Sequence, residues 1–250
     1  MAPHAADAGH ERWEHAAWYT RVPRMQGAGK LCMQNNINIV HGNTQTPVFC
    51  TRYDDFNIYF EGCGWELPRT DMMMDGLENS RYADICGEDI AAMDGLGWEF
   101  IADPICFTAT HQDSTVIASG WAAPMLTEDG QTGCNLTYAV DGKYEGRSLA
   151  KLLTSLAFLA ADQVHPQMKF ANIECRVDNQ PSIALARSLG LISYPEGDFS
   201  MPVSGTGEEV AFHCFRADIE EFRHSARHTL QKKNLGELLV RATTSGRPGS

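Results

Sequence analysis

The segment Val140 to Lys151, VDGKYEGRSLAK, has residue types and spacing that suit the binding of phosphate. A β-prone run ends at Val140 and a helical pattern begins after Ser148, which predicts a strand, a tight loop and a helix start. The first N–H groups of a helix lack intrahelical acceptors and carry partial positive charge, so they bind anions. Gly146 lets a pyrophosphate approach the backbone, and Arg147 can add charge-assisted hydrogen bonds. An ordinary turn fits the same residues, and the motif alone leaves both interpretations open.

Residues 173–191, IECRVDNQPSIALARSLGL, carry a second pattern of strand, capped helix and glycine stop. The run from Ile173 to Val177 predicts a strand, Asn179 a helix cap, and Gly190 the helix end. The two segments are separated by a strand and a helix that stops before Pro166. That helix is predicted from apolar residues at helical spacing, namely Leu149, Leu152, Leu153, Leu156, Leu159 and Ala160.

The first segment resembles the acyl-CoA-binding motif of the GNAT superfamily of N-acyltransferases. That motif runs Tyr-Arg-Gly-x-Gly-Ile-Gly or -Ala before a leucine-rich helix. The matching positions in YEGRSLAKLL are Tyr144, Gly146, Leu149 and Ala150. Glu145 stands where the family usually has Arg or Gln, and Ser148 replaces a usual Gly.

The second segment resembles the family's other signature, Leu-x-Val-x-x-x-Asn-x-x-Ala-Ile-x-Leu-Tyr-x-x-x-Gly-Phe. The matching positions are Ile173, Cys175, Asn179, Ser182, Ile183, Leu185, Gly190 and Leu191. Ala186 occupies the place where many members carry a Tyr thought to protonate the departing CoA thiolate. A thiolate whose conjugate thiol has a pKa of about 8.5 is a tolerable leaving group. The acid therefore lies elsewhere or is water.

The resemblance implies that acetyl-CoA, or a close acyl-CoA, is the co-substrate, and it implies no metal. The strand around Tyr138 to Val140 would supply a backbone N–H to the oxyanion. It is expected to part from its neighbour after Val177 and so open a slot for the pantetheine arm. The residues that the resemblance assigns to this ligand are Tyr138, Ala139, Val140, Gly146, Arg147, Ser148, Leu149, Ala150, Lys151, Asn179 and Ser182.

Tyr138 and Glu174 are the candidate catalytic residues. Transfer by direct attack needs a base for the ammonium proton and donors for the oxyanion. Glu174 is the candidate base, although alternation along a strand could turn it to solvent; Tyr138 could donate to sulfur or the oxyanion, or be a buried core aromatic. His111 and His213 are weaker candidates for a proton relay, and a water chain could do the same work. His224 and His228 have a metal-binding spacing without an evident third ligand, so a solvated helix face is favoured.

The composition restricts the partners and the compartment. The 250 residues carry a formal net charge of −12, which argues against nucleic acid and anionic membranes and points weakly to a cationic acceptor. Eight cysteines without a C-x-x-C pair indicate small buried hydrophobes in a reducing compartment. The sequence shows neither a signal peptide nor an apolar run long enough to span a membrane, so we expect a cytoplasmic protein.

These observations predict a mixed α/β fold of GNAT type, with a central sheet and helices on both faces. The expected organisation is an N-terminal wall or lid in residues 1–98, an acyl-CoA-binding core in 99–216, and a helix with a flexible tail in 217–250. The predicted function is transfer of an acyl group, acetyl first, from acyl-CoA to an amine-bearing small molecule or protein. A catalytically inactive acyl-CoA sensor or scaffold, or an enzyme acting on a macromolecule, is the alternative. The acceptor and the oligomeric state, homo-oligomer included, stay open.

Overall fold

The computed structural model describes residues 48–63, 98–102, 104–111, 116–202 and 209–235. In this part of the chain, ten strands form one sheet: β1 (Val48–Tyr53), β2 (Phe56–Cys63), β3 (Trp98–Phe100), β4 (Ile105–Thr110), β5 (Val116–Thr127), β6 (Thr132–Val140), β7 (Phe170–Arg176), β8 (Ile192–Ser193), β9 (Phe199–Pro202) and β10 (Glu209–Asp218). The α-helices of the same part are α1 (Leu149–Val164), α2 (Gln180–Ser188) and α3 (Ile219–Lys232).

The strand order is β1-β2-β4-β5-β6-β7-β10-β8, with β3 beside β5 and β9 beside β10. All described neighbours are antiparallel except β6 and β7, which are parallel. Parallel strands need a long crossover, and α1 supplies it. The predicted fold class, a mixed α/β sheet covered by helices, is confirmed.

Helix α1 lies directly on the centre of the sheet. Its leucines are buried, and so is every residue from Leu152 to Asp162, because the sheet packs on one side of the helix and α3 on another. Gly120 of β5 allows this approach, since a Cβ built there would lie 2.7 Å from the carbonyl carbon of Leu153 and 2.8 Å from the nitrogen of Thr154. The close contact holds the start of α1 at the end of β6.

Helix α3 packs against α1 and belongs to the core. The rings of Phe158 and Phe222 meet edge to face with centroids 4.6 Å apart. Arg223 donates from Nε and Nη2 to both carboxylate oxygens of Asp162, at 2.6 and 2.7 Å. This bidentate pair is mostly buried, and breaking one partner of such a pair is strongly destabilising.

The C-terminal helix is shorter at both ends than the predicted span Ala217 to Val240. Strand β10 continues to Asp218, whose side chain caps α3 by accepting from the N–H of Glu220 at 2.8 Å. The helix ends at Lys232 because Asn234 takes a left-handed backbone conformation, with φ 56°. The N–H of Leu235 then bonds to the carbonyl of Leu230 at 2.8 Å, which closes the helix end.

Long-range pairing also changes other predicted boundaries. The predicted loop 127–133 is confirmed but narrower, a turn over residues 128–131, because β5 runs to Thr127 and β6 begins at Thr132. Part of the predicted loop 195–207 is β9, which pairs with β10. Strands β1 and β2 extend the sheet into the region predicted as an N-terminal wall. The predicted helices at 5–19 and 88–93 lie outside the described residues. Cys106, Cys175 and Cys214 are buried, as predicted.

None of the helices in the described ranges is both long and apolar enough to cross a membrane.

Candidate active site

The two parallel strands in the middle of the sheet separate after a short paired stretch. In the described chain, β6 and β7 pair only through residues 133–135 and 170–172. Strand β6 continues to Val140 alongside β5, and β7 continues to Arg176 alongside β10. Because each strand follows a different neighbour, a slot opens between residues 136–140 and 173–176. The predicted parting exists, but it begins after Asn172 and not after Val177.

A polar loop lies where β6 ends, at the mouth of this slot. Asp141 stabilises its first turn by accepting from the N–H of Lys143 at 2.9 Å. Gly146 and Ser148 adopt left-handed conformations, with φ 76° and 62°, directly before α1. Ser148 makes no side-chain cap, and the loop from residue 145 to 148 is exposed. The N–H groups of the first helical turn therefore face an open place suited to phosphate.

The basic residues of the loop differ in their surroundings. Arg147 is exposed, and its Cζ lies 5.9 Å from the ring centroid of Phe56. Lys151 donates from Nζ to the carbonyl of Ser188 at 2.5 Å and so ties the start of α1 to the end of α2. Desolvation first, and then the charges of Lys232 and Lys233, lower the pKa of Lys151. Of the two, Arg147 is the one whose side chain is exposed at the loop.

Two further residues of the first motif differ in burial. Leu149 is buried and serves the core, whereas Ala150 is half-buried at the first turn.

Asn179 caps α2 at the other side of the slot. Its Oδ1 accepts from the N–H of Ser182 at 3.1 Å, which confirms the predicted cap. Gly190 has φ 92° and ends the helical segment, as its position predicts. The cap places Ser182 and the first turn of α2 beside the end of β7.

We expect Asn179→Ala to lower the free energy of unfolding by about 1 kcal/mol, because one N–H of α2 loses its acceptor. Asn179→Ser keeps a hydroxyl acceptor and should cost only a few tenths of that. Urea unfolding of both variants measures the difference, and an equal loss in both would contradict a capping role.

Glu174 lies in a network of polar side chains at the point where the slot begins. Asn172 donates from Nδ2 to Oε1 of Glu174, and the same Nδ2 lies 3.5 Å from Oδ1 of Asn135. Asn135 also hydrogen-bonds the carboxyl group of Glu174. The thiol of Cys214 donates to Oδ1 of Asn172 at 2.8 Å. Both asparagines are buried, and this network fixes the position of the carboxyl group.

The environment of Glu174 raises its pKa to about 7. Desolvation is the largest cause, and it is opposed by hydrogen bonds from Asn135, Asn172 and the backbone and by the charge of Arg216. Part of the Glu174 surface nevertheless reaches solvent. A carboxyl group with this pKa can take up and release a proton near neutral pH, as a general base must.

The structure places the other candidate residues apart from Glu174. Tyr138 pairs with Gly120 and shares its face of the sheet, towards α1, whereas Glu174 shares the opposite face with Asn135. His213 pairs with Cys175, on the face away from Glu174, and its Nδ1 lies 3.0 Å from Oδ2 of Asp198.

The candidate proton relay His111 and the alanine at the usual acid position, Ala186, also lie away from Glu174. His111 lies near the ring of Tyr144, with centroids 6.1 Å apart. Ala186 is fully buried in the core.

The sequence reasoning missed Asn135, Asn172 and Arg216. The available signal was an asparagine within each of two β-prone runs, since Asn is depleted in strands and a buried amide needs partners. Only the register of β6, β7 and β10 shows that these residues surround Glu174.

A central parallel pair that parts beside a loop suited to phosphate, joined by a crossover helix, defines a GNAT-like fold, as the two motifs predicted. No protein-family model matches this chain, and no curated protein matches its sequence. Solved acetyltransferase structures are similar to it. NAA60 of Arabidopsis thaliana, solved with acetyl-CoA, is 15% identical over 65% of this chain and 99% of its own, with a TM-score of 0.47.

Two further solved structures show the same kind of likeness. A GNAT-family acetyltransferase of Streptococcus pneumoniae is 12% identical over 52% of this chain and 71% of its own, with a TM-score of 0.39. A chimera of the spermidine N-acetyltransferase SpeG from Vibrio cholerae and hSSAT is 10% identical over 48% of this chain and 69% of its own, with a TM-score of 0.37. With identities of 10–15% and TM-scores below 0.5, these likenesses carry no argument about the activity, substrate or family of this chain.

Proposed function

We propose that this chain is an acyl-CoA-dependent N-acyltransferase that transfers an acyl group, acetyl in the first instance, to an amine. One observation carries the proposal. A carboxyl group with a pKa near 7, Glu174, stands on the strand that borders the slot, and a loop suited to phosphate lies at the mouth of that slot.

The described residues fit the parts of an acyl-CoA ligand. The loop from Gly146 to Ser148 and the first turn of α1 would hold the pyrophosphate through backbone N–H groups. The slot between residues 136–140 and 173–176 would take the extended pantetheine arm. The bound thioester supplies an activated carbonyl group. The edge of β6 beyond Asn135 is outside the ladder with β7, so its backbone is oriented towards the slot and can donate to an oxyanion.

Glu174 and water then transfer the protons of the reaction. The amine nitrogen forms a bond to the thioester carbonyl carbon, and the carbon–sulfur bond breaks as the thiol departs. Glu174 accepts the proton that the amine nitrogen loses. The departing thiolate takes a proton from water, and Glu174 returns its proton to the hydroxide that is formed. The residue at the usual acid position, Ala186, is buried in the core and has no proton to give. The products are an amide and free CoA.

The test uses the full chain with acetyl-CoA and a panel of amines: amino acids, amino-acid amides, polyamines and a short peptide. Release of free thiol is followed with a thiol reagent, and CoA binding is followed by calorimetry. We expect binding of CoA together with amine-dependent thiol release. Tight CoA binding without turnover on any amine would refute the enzyme and leave an acyl-CoA-binding sensor or scaffold, the alternative that Ala186 favours.

A further inference from the structure

Arg216 on β10 presents a guanidinium group that is stacked between two aromatic rings. Its Cζ lies 3.9 Å from the ring centroid of Phe170 and 4.0 Å from that of Tyr194. The ring of Phe170 in turn covers Gly133, where a Cβ would lie 2.3 Å from the ring. This stacking fixes the plane of the guanidinium group on the face of the sheet that carries Glu174.

One donor of this guanidinium group has no acceptor among the described residues. Nε of Arg216 is buried and makes no hydrogen bond, and no ion pair to Arg216 occurs among the described residues. A buried donor without a partner costs free energy, and the cost is larger for a charged group. A ligand that supplies an acceptor to this donor would recover that free energy.

Glu174 and Arg216 are diagonal neighbours across the ladder of β7 and β10. Arg216 lies opposite Asn172, and Glu174 lies opposite Cys214, so their Cα atoms are about 7–8 Å apart. The two charged groups form no direct ion pair, and Asn172 lies between them, with 1% of its surface exposed. Asn172 thus lies between a carboxyl group that can act as a base and a guanidinium group that has no ion-pair partner among the described residues.

We propose that Arg216 binds a carboxylate of the acyl acceptor, so that the acceptor is an α-amino acid. This inference rests on the proposed acyl transfer and names its acceptor class. A planar guanidinium fork matches a carboxylate with two parallel hydrogen bonds. An α-amino acid has its amine and its carboxylate on one carbon, which fits a base and a guanidinium group on diagonal positions. The positive charge of Arg216 thus favours an anionic group on the acceptor, whereas the net charge of the chain suggested a cationic acceptor.

The experiment compares an L-amino acid with its own primary amide as acceptors for the full chain and acetyl-CoA. The two differ only in the carboxylate. Charge-assisted bidentate recognition should favour the amino acid in kcat/KM by about 10- to 100-fold. Calorimetric titration of the CoA-loaded protein with the same two compounds measures the preference without turnover.

Two variants locate the preference at Arg216. Arg216→Gln should remove it by raising KM for the amino acid, while KM for the amide stays unchanged. Arg216→Lys keeps the positive charge but loses the planar pair of donors, so it should keep a small part of the preference. Arg227→Gln on α3 is the control, because that arginine is exposed and lies outside the slot, and it should leave the preference intact.

Two results would overturn the inference. Equal use and equal binding of the acid and the amide by the unaltered protein would overturn the inference and leave the acyl transfer in place. It would also be overturned if Arg216→Gln reduced both acceptors equally and moved the pH profile to higher pH, since Arg216 would then act on Glu174. If no amine is turned over, the proposed function fails, and the calorimetric comparison still decides the carboxylate site.

Discussion

Replacing Glu174 by Gln is expected to lower kcat by about 100-fold or more, because loss of a positioned general base typically costs this much. Gln keeps the size of the side chain and its hydrogen-bonding capacity towards Asn135 and Asn172 but cannot take a proton. The affinity for acyl-CoA should change little, because Gln keeps the size of the side chain that borders the slot. Steady-state thiol release and calorimetry with CoA measure the two quantities.

The pH profile gives an independent readout of the same residue. Glu174 must be ionised to act as a base, so kcat of the unaltered protein should rise with pH through about 7 and level off above it. In Glu174→Gln this limb should disappear. Glu209→Gln, an exposed position on β10, is the control and should keep the limb. A Glu174→Gln profile with the original limb would assign the base to another group.

Stability measurements separate this effect from unfolding. The pKa of Glu174 is raised from 4.5 to about 7, so the folded protein binds more protons than the unfolded chain between these two values. The free energy of unfolding therefore falls as pH rises through that window. Glu174→Gln removes the dependence and should be at least as stable as the unaltered protein at pH values above about 7. Loss of activity there cannot then be attributed to loss of fold.

Gly120→Val is expected to lower the free energy of unfolding by about 3 kcal/mol or more, at the upper end of overpacking effects. A Cβ at this position would lie 2.7 Å from the carbonyl carbon of Leu153 and 2.9 Å from its Cβ. Replacing a glycine within a strand raises the free energy of unfolding by only about 0.5–1 kcal/mol. The clash dominates, because it involves the backbone of α1, which cannot rotate away.

Urea unfolding measures this loss, and Gly142→Ala is the matched control, because a Cβ there meets nothing within 4 Å. Displacement of α1 should also weaken CoA binding, since α1 begins at the phosphate-suited loop. A Gly120→Val cost below about 0.5 kcal/mol, the ordinary range for surface changes, would contradict the close packing of α1 on β5.

Local elements of this fold were predictable wherever short-range chemistry determines them. The leucine spacing predicts α1, Asn179 predicts the start of α2, and the glycine-containing loop before Leu149 predicts a helix start suited to phosphate. These signals act within a few residues, so a single sequence carries them.

Boundaries that depend on pairing with distant strands were not predictable. Strand β9 forms because it pairs with β10, and β5 runs on to Thr127 because β3 and β6 pair with it. A loop-like composition is overridden when a neighbouring strand offers hydrogen bonds.

The sequence by itself determined the order of the elements from β4 to α2, the loop suited to phosphate and the presence of a carboxylate on the strand before Asn179. Only the tertiary structure decided which face of the sheet Glu174 occupies, where β6 parts from β7, and that Asn135, Asn172 and Arg216 surround the carboxyl group. The physical reason is strand register: side chains alternate between faces, so a shift of one residue would send Glu174 to the side of α1. That register arises from contacts between segments far apart in the chain.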